Sequence, residues 1–237
     1  MASSSDPPVL MRNHILRSLP RQNYQLLFSS LHQVQLERGQ ILYDFGGRIR
    51  SAFFIAGGMV SLLATTEDGS ATQVAMVSEE GVVGLPAVLK IDKAPYQVMV
   101  QIPGRAMQIR IDVFVKEFGR DGPLHDILLR YLHCLISQIS QSAVCNRFHT
   151  VEQRLGRWLL MVQDRVKSKD LVLTHEILAH MLGAKRTNVT KAAATLKRAQ
   201  VIQYRHGRIQ ILDRSALEQI SCECYRVITN EIGCFLA

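Results

Sequence analysis

The stretch Leu173–Arg198, LTHEILAHMLGAKRTNVTKAAATLKR, decides how this chain is read. Thr174 has the side chain of a helix N-cap, and Ile177, Leu178, Met181 and Leu182 follow at helical spacing. Gly183 breaks the pattern where a tight turn needs positive φ. A second helical pattern then places Val189, Ala193 and Leu196 inward. Ala179 must be small where the two helices cross, and Val189 reaches back between them. The offsets among Ala179, Gly183 and Val189 satisfy a helix-turn-helix together.

With those residues inward, the opposite face of the second helix presents Arg186, Thr187, Thr190 and Lys191, with Lys185 and Asn188 beside its start. In a major groove, Arg pairs with guanine and Asn with adenine, while Lys and Thr hold phosphates. Downstream, Val201–Tyr204 and Arg208–Leu212 read as a hairpin around Arg205, His206 and Gly207, a wing whose Arg205, His206 and Arg208 reach toward a backbone. The expected DNA contacts are therefore Thr174, Lys185, Arg186, Thr187, Asn188, Thr190, Lys191, Arg205, His206 and Arg208.

Charge agrees with this placement. The 237 residues carry a net +8, yet residues 147–214 hold 14 Lys and Arg against 5 Asp and Glu, so the rest is close to neutral. Such local basicity is the footprint of a polyanion partner.

Upstream, the pattern changes twice. Eleven of the fifteen glycines lie between Gly39 and Gly122, punctuating short apolar runs at 40–43, 52–55, 59–65, 72–77, 97–102 and 106–111. Glu67-Asp68-Gly69-Ser70 joins two of them as a turn. This predicts an antiparallel β-roll of jelly-roll type over 23–120, after an N-terminal arm over 1–22 whose Ser/Pro start is expected to be disordered. From Leu124 the apolar period is helical, through Ile127, Leu128, Tyr131, Leu132, Leu135, Ile136 and Ile139. The stripe is wide enough to cover the roll and pair with a second copy, so 121–146 is expected to be a dimerisation helix. Thr150 and Gln153 have capping-box spacing for the next helix, with Trp158 in its core stripe, and 147–237 reads as the winged domain. The fold class is α+β.

The five cysteines are an odd number with no framework spacing, and no secretory segment precedes them, so they read as reduced thiols in a cytoplasmic protein. Cys222-Glu-Cys224 is half of a metal site with no second close pair, since Cys145 and His149 straddle the expected helix break. No metal is expected on that reading. Redox sensing by Cys134 or Cys145 and haem ligation by one of the eight histidines stay open. No nucleophile elbow, phosphate loop or Rossmann fingerprint occurs, so an enzyme is not expected.

From about Leu19 to Asp213 the chain resembles the Crp-Fnr family of bacterial transcription regulators. Thr174, Ala179, Gly183, Arg186 and Val189 fall where the family's helix-turn-helix has them, and the family's residue at the Arg186 position contacts a base. The resemblance implies a cyclic-nucleotide-binding-like roll, a homodimer on palindromic double-stranded DNA, and contact with RNA polymerase. Cyclic-nucleotide binders of the family carry Gly-Glu and, about ten residues on, Arg-Ser or Arg-Thr, for the ribose hydroxyl and the cyclic phosphate. Here Gly84-Leu85-Pro86-Ala87 is followed by Ala94-Pro95-Tyr96-Gln97. Cyclic AMP or GMP is thus not expected, and the effector is unknown, with Gly84, Leu85, Tyr96 and Gln97 marking the altered pocket. The family's iron-sulfur cluster is not expected either, because no cysteine precedes Cys134. A second reading is a ligand-binding or redox-sensing module whose C-terminal domain makes protein contacts.

Overall fold

One buried amide ties down the N-terminal arm. In a computed structural model describing residues 9–166, 170–205 and 207–237, Asn13 Nδ2 donates to Ile55 O at 2.9 Å and Gly81 O at 2.8 Å. Its Oδ1 accepts from Leu16 N at 3.1 Å. The last of these bonds caps α2 (His14–Ser18), which follows α1 (Val9–Arg12). Ile15, Leu16 and, on α3 (Gln25–Ser29), Leu27 are buried. The Ser/Pro start lies outside the described residues.

The roll is antiparallel: β1 (His32–Leu36), β6 (Gln97–Arg110), β3 (Ser51–Thr65) and β4 (Ala71–Val77) are neighbours in that order. β2 (Ile41–Tyr43) pairs with β6, and β5 (Val82–Val83) with β3. Two expected interruptions do not occur, since β3 runs unbroken past Gly57-Gly58 and β6 past Gly104. These glycines mark close approach. A Cβ at Gly104 would lie 2.0 Å from Gly57 O, so only a bare backbone lets the strands touch. At the expected turn Thr66 N donates to Ser70 O at 2.9 Å, closing the β3–β4 hairpin. β1 was not foreseen: its alternation is confined to Gln33-Val34-Gln35-Leu36, and only Leu36 of its five residues is buried.

α4 (Ile111–Phe118) and the 26-residue α5 (Pro123–Phe148) follow. α5 outruns its expected end by two residues, and His149 N still donates to Cys145 O at 3.2 Å. The break comes later because α6 (Val151–Val166) starts from a reciprocal capping box: Gln153 N donates to Thr150 Oγ1 at 3.3 Å and Thr150 N to Gln153 Oε1 at 3.0 Å. Next come β7 (Asp170–Val172), α7 (His175–Leu182), α8 (Arg186–Arg198), β8 (Ile202–Arg205), β9 (Arg208–Ile211), α9 (Arg214–Ile220) and α10 (Cys224–Leu236).

The chain divides into two compact units. One holds the chain up to Leu62 and Met76–Cys134; the other holds Leu63–Ala75 and Leu135–Phe235. In the second, α6 packs on α7, α8 and α9, burying Leu155, Trp158, Leu159, Val162, Leu178, Val189, Leu196 and Leu217. Trp158 Nε1 is not left unsatisfied there, donating to Gln73 Oε1 at 2.5 Å. Among the described residues, no helix is long and apolar enough to cross a membrane.

Candidate nucleic-acid interface

Local chemistry fixes each end of α7. Thr174 Oγ1 accepts from Ile177 N at 3.2 Å, the expected cap. At the other end Gly183 takes φ 52°, ψ 45°, and Ala184 N donates to Ala179 O at 3.0 Å. A Cβ on Gly183 would meet Thr72 Oγ1 at 2.5 Å, so both the turn and its surroundings require glycine. Arg154, nearly buried, donates from Nη2 to Leu182 O and to Asn146 Oδ1 at 2.8 Å. It joins the last turn of α7 to the end of α5. As one of several charged residues on α6, beside Glu152 and Arg157, it gave no sign of this in the sequence.

Val189, Ala192, Ala193 and Leu196 are buried, which turns the other face of α8 outward. Ile177, expected in the core, is only half-buried. Lys185, Arg186, Thr187, Asn188, Thr190 and Lys191 are all exposed, as is Thr174. Lys185 occupies the N-cap of α8 without a side-chain cap bond. Asn188 N donates to Lys185 O at 2.9 Å, and the positive end of the helix dipole there still favours an anion.

Thr190 is partly engaged from within. Its Oγ1 donates to Arg186 O at 3.0 Å and lies 3.1 Å from His175 Nδ1. His175 stacks on Tyr204, with ring centroids 4.4 Å apart and 12° between planes. This residue links α7, α8 and the wing, a role that sequence reasoning missed because stacking partners 29 positions apart leave no periodic trace. Burial, then the Arg186 charge, hold its imidazole below the usual histidine range.

The wing is a three-stranded sheet in the order β7-β9-β8. Its β7 edge was not anticipated from three residues. Leu173 N donates to Gly207 O at 2.7 Å, securing the hairpin to the start of the helix-turn-helix. Arg205 and Arg208, both exposed, are directly opposite across β8 and β9. His206, expected between them, lies outside the described residues.

In the roll, Gly84 (φ 111°) starts the short 3-10 turn Leu85–Leu89. A Cβ there would meet Ala52 and Tyr43 Oη at 3.1 Å. Tyr43 Oη donates to Ser51 O at 2.5 Å, and its ring packs against Phe53. Burial lifts the Tyr96 phenol to about 12. Gln97 Nε2 donates to Asp44 Oδ1 at 3.0 Å. Tyr43, unremarked in the sequence, stands beside Gly84 and acts electrostatically with Tyr96.

The cysteine reading needs correction. Cys145, His149, Cys222 and Cys224 offer ligand atoms that all lie within 4.8 Å of one another. The second pair judged absent is thus present, because α5 continues through Phe148 and keeps Cys145 and His149 on one face.

A cyclic nucleotide-binding domain model matches residues 33–121, and a Crp-like helix-turn-helix domain model matches residues 153–220. The chain is 24% identical over 195 residues to the global nitrogen regulator of Synechococcus elongatus, covering 78% of this chain and 87% of that one. It is 23% identical over 185 residues to the global nitrogen regulator of Nostoc sp., covering 74% and 82%. Among solved structures, a transcriptional regulator of the crp/fnr family from Eubacterium rectale superposes with a TM-score of 0.72 at 14% identity, covering 87% and 96% of the two chains. FixK2 from Bradyrhizobium japonicum gives 0.70 at 14% identity, covering 81% and 98%. A cyclic-nucleotide-binding-like roll, a long helix and a DNA-binding helix-turn-helix in this order make the chain a member of the Crp-Fnr family of transcription regulators.

Proposed function

We propose that the protein binds palindromic double-stranded DNA as a homodimer, with Arg186 reading a base. The observation that carries this is the outward face of α8, where Lys185, Arg186, Thr187, Asn188 and Lys191 are exposed together above a buried Val189 and Leu196. The wing supports it. Like charges directly opposite in a sheet repel, so the Arg205 and Arg208 pair costs stability unless a polyanion lies against it.

Pairing of two copies rests on α5. Leu129 and Ile136 are 45% and 54% exposed and seven residues apart, with Leu132 and Ile139 half-buried between and beyond them. That is the a/d spacing of a helix-pair seam. Two recognition helices then face successive major grooves, with half-sites about one helical turn apart. The family membership supports RNA polymerase as a further partner and the cytoplasm as the place of action.

The effector is not cyclic AMP or GMP on this reading. Leu85 and Pro86 are buried where the family's nucleotide binders carry a carboxylate, and an unpaired buried phosphate is costly. Adding cyclic AMP should leave the melting temperature unchanged; a dose-dependent rise sinks this part.

Selection of bound sites from random duplexes, followed by binding at several salt concentrations, tests the whole. An inverted repeat should emerge, and affinity should fall by about 10³–10⁵-fold between 50 and 200 mM salt for six to ten phosphate contacts. Salt-insensitive or absent DNA binding would favour a C-terminal domain devoted to protein contacts.

A further inference from the structure

We propose that Cys145, His149, Cys222 and Cys224 form a closed tetrahedral zinc site that clasps the end of α5 to the α9–α10 turn. Neither DNA reading nor the roll uses these residues. Cys145 Sγ is 3.5 Å from Cys222 Sγ, and Cys224 Sγ is 3.4 Å from His149 Nδ1. Zinc–sulfur bonds of about 2.3 Å and zinc–nitrogen bonds of about 2.0 Å put tetrahedral ligand atoms about 3.5–3.8 Å apart. With every ligand pair already within 4.8 Å, only small side-chain movements separate this set from coordination.

The surroundings are those a metal-binding histidine requires. Its ring is fixed from the far side: Nε2 is 3.2 Å from Glu223 Oε1, which leaves Nδ1 as the atom facing the thiols. A carboxylate on the distal nitrogen orients the ring and raises its basicity. Gln141 Nε2 donates to Cys224 Sγ at 3.0 Å, an N–H···S bond that a thiolate strengthens. Three thiolates and a neutral imidazole around a dication carry one net negative charge. The nearly buried Arg157 guanidinium acts electrostatically on both Cys145 and Cys222, so that charge has a partner.

Chemistry selects the metal. Soft sulfur with one imidazole, four ligands and no open position is the composition of structural zinc sites. A polynuclear iron-sulfur cluster spreads its ligands over several iron atoms, and atoms this close suit one ion. Loading is a balanced exchange: one zinc ion enters and three thiol protons leave to the buffer. All four ligands belong to the second unit, so the ion acts as a structural clasp there.

The test uses the full chain purified without chelator. Elemental analysis should find about one zinc per chain, retained in Cys234→Ser and lost in Cys222→Ser and in Cys224→Ser. Reduced, metal-free protein titrated with cobalt(II) under argon should gain the visible bands of tetrahedral cobalt and a thiolate charge-transfer band. Glu223→Gln should weaken zinc by about 10–100-fold. Should the serine variants fail to fold, the cobalt titration of the unaltered chain decides. Absence of both zinc and the cobalt spectrum would overturn the proposal, as would iron with acid-labile sulfide, a Cys145–Cys222 disulfide in freshly isolated protein, or full zinc in Cys222→Ser.

Discussion

Gly104 in the roll and Gly183 in the helix-turn-helix are both irreplaceable, for opposite reasons. At Gly104 the missing side chain lets β6 come against Gly57 O and closes the interior of the roll. At Gly183 a left-handed turn sends α8 off with its polar face outward. The same contrast runs through the chemistry of the two units. Tyr43, Ala52 and Leu85 crowd around Gly84 inside the roll, and all are buried. On α8 the cations have no such cover. A function displayed on one helix face depends on local spacing, whereas a function enclosed in a cavity depends on what distant strands bring together.

The largest expected effect comes from breaking the proposed α5 seam. Ile136→Glu puts a charge at a half-exposed seam position. It should give a monomer by analytical ultracentrifugation and lower affinity for an inverted repeat by about 10²–10⁴-fold, the gain that two linked sites confer. Affinity for a single half-site should not change. A dimer with unchanged affinity would place the pairing surface elsewhere.

Gly104→Ala attacks the roll alone. With a Cβ 2.0 Å from a backbone oxygen, the strands must part, at a cost of about 3 kcal/mol as in overpacked cores. Chemical denaturation should show it. DNA affinity per correctly folded molecule should hold, and loss of both together would show that the units are not separable in this way.

What the sequence disclosed follows the same division. Thr174, Gly183 and Val189 speak through offsets of a few residues, as do Thr150 and Gln153, and all sit where spacing put them. β1 escaped because four of its five residues are not buried. Gly57, Gly58 and Gly104 were read as ends of strands because close approach and turning use the same residue. The gathering of Cys145 and Cys222, 77 positions apart, depends on where α9 ends relative to α5, which no local pattern encodes.

Arg186→Ala and Lys191→Ala sharpen the contrast within the reading unit. The first should cost about 1–3 kcal/mol and relax preference at one base pair. The second should weaken all sequences alike and reduce the salt slope by about one. Competition binding against single-base variants of the selected site separates them. Equal loss on specific and random DNA for Arg186→Ala would remove it from the base-reading role.

The smallest effect probes the link between α7, α8 and the wing. His175 is held below the usual histidine range by burial and then by Arg186, so the folded state prefers the neutral ring stacked on Tyr204. Above the unfolded value, about 6.5, both states are neutral and the preference is fully realised. As pH falls below that value the unfolded chain takes up the proton first, and stability declines until the lower folded value is passed. Melting temperature should therefore fall between pH 7.5 and 5.5 by less than about 4 °C from this residue. The comparison with His175→Phe, which keeps a ring against Tyr204 but cannot titrate, isolates the contribution from the other histidines. In Arg186→Ala the decline should be shallower, because the nearby positive charge is gone. Identical pH slopes in all three proteins would show that His175 is merely seated beside the wing and does not couple it to the recognition helix.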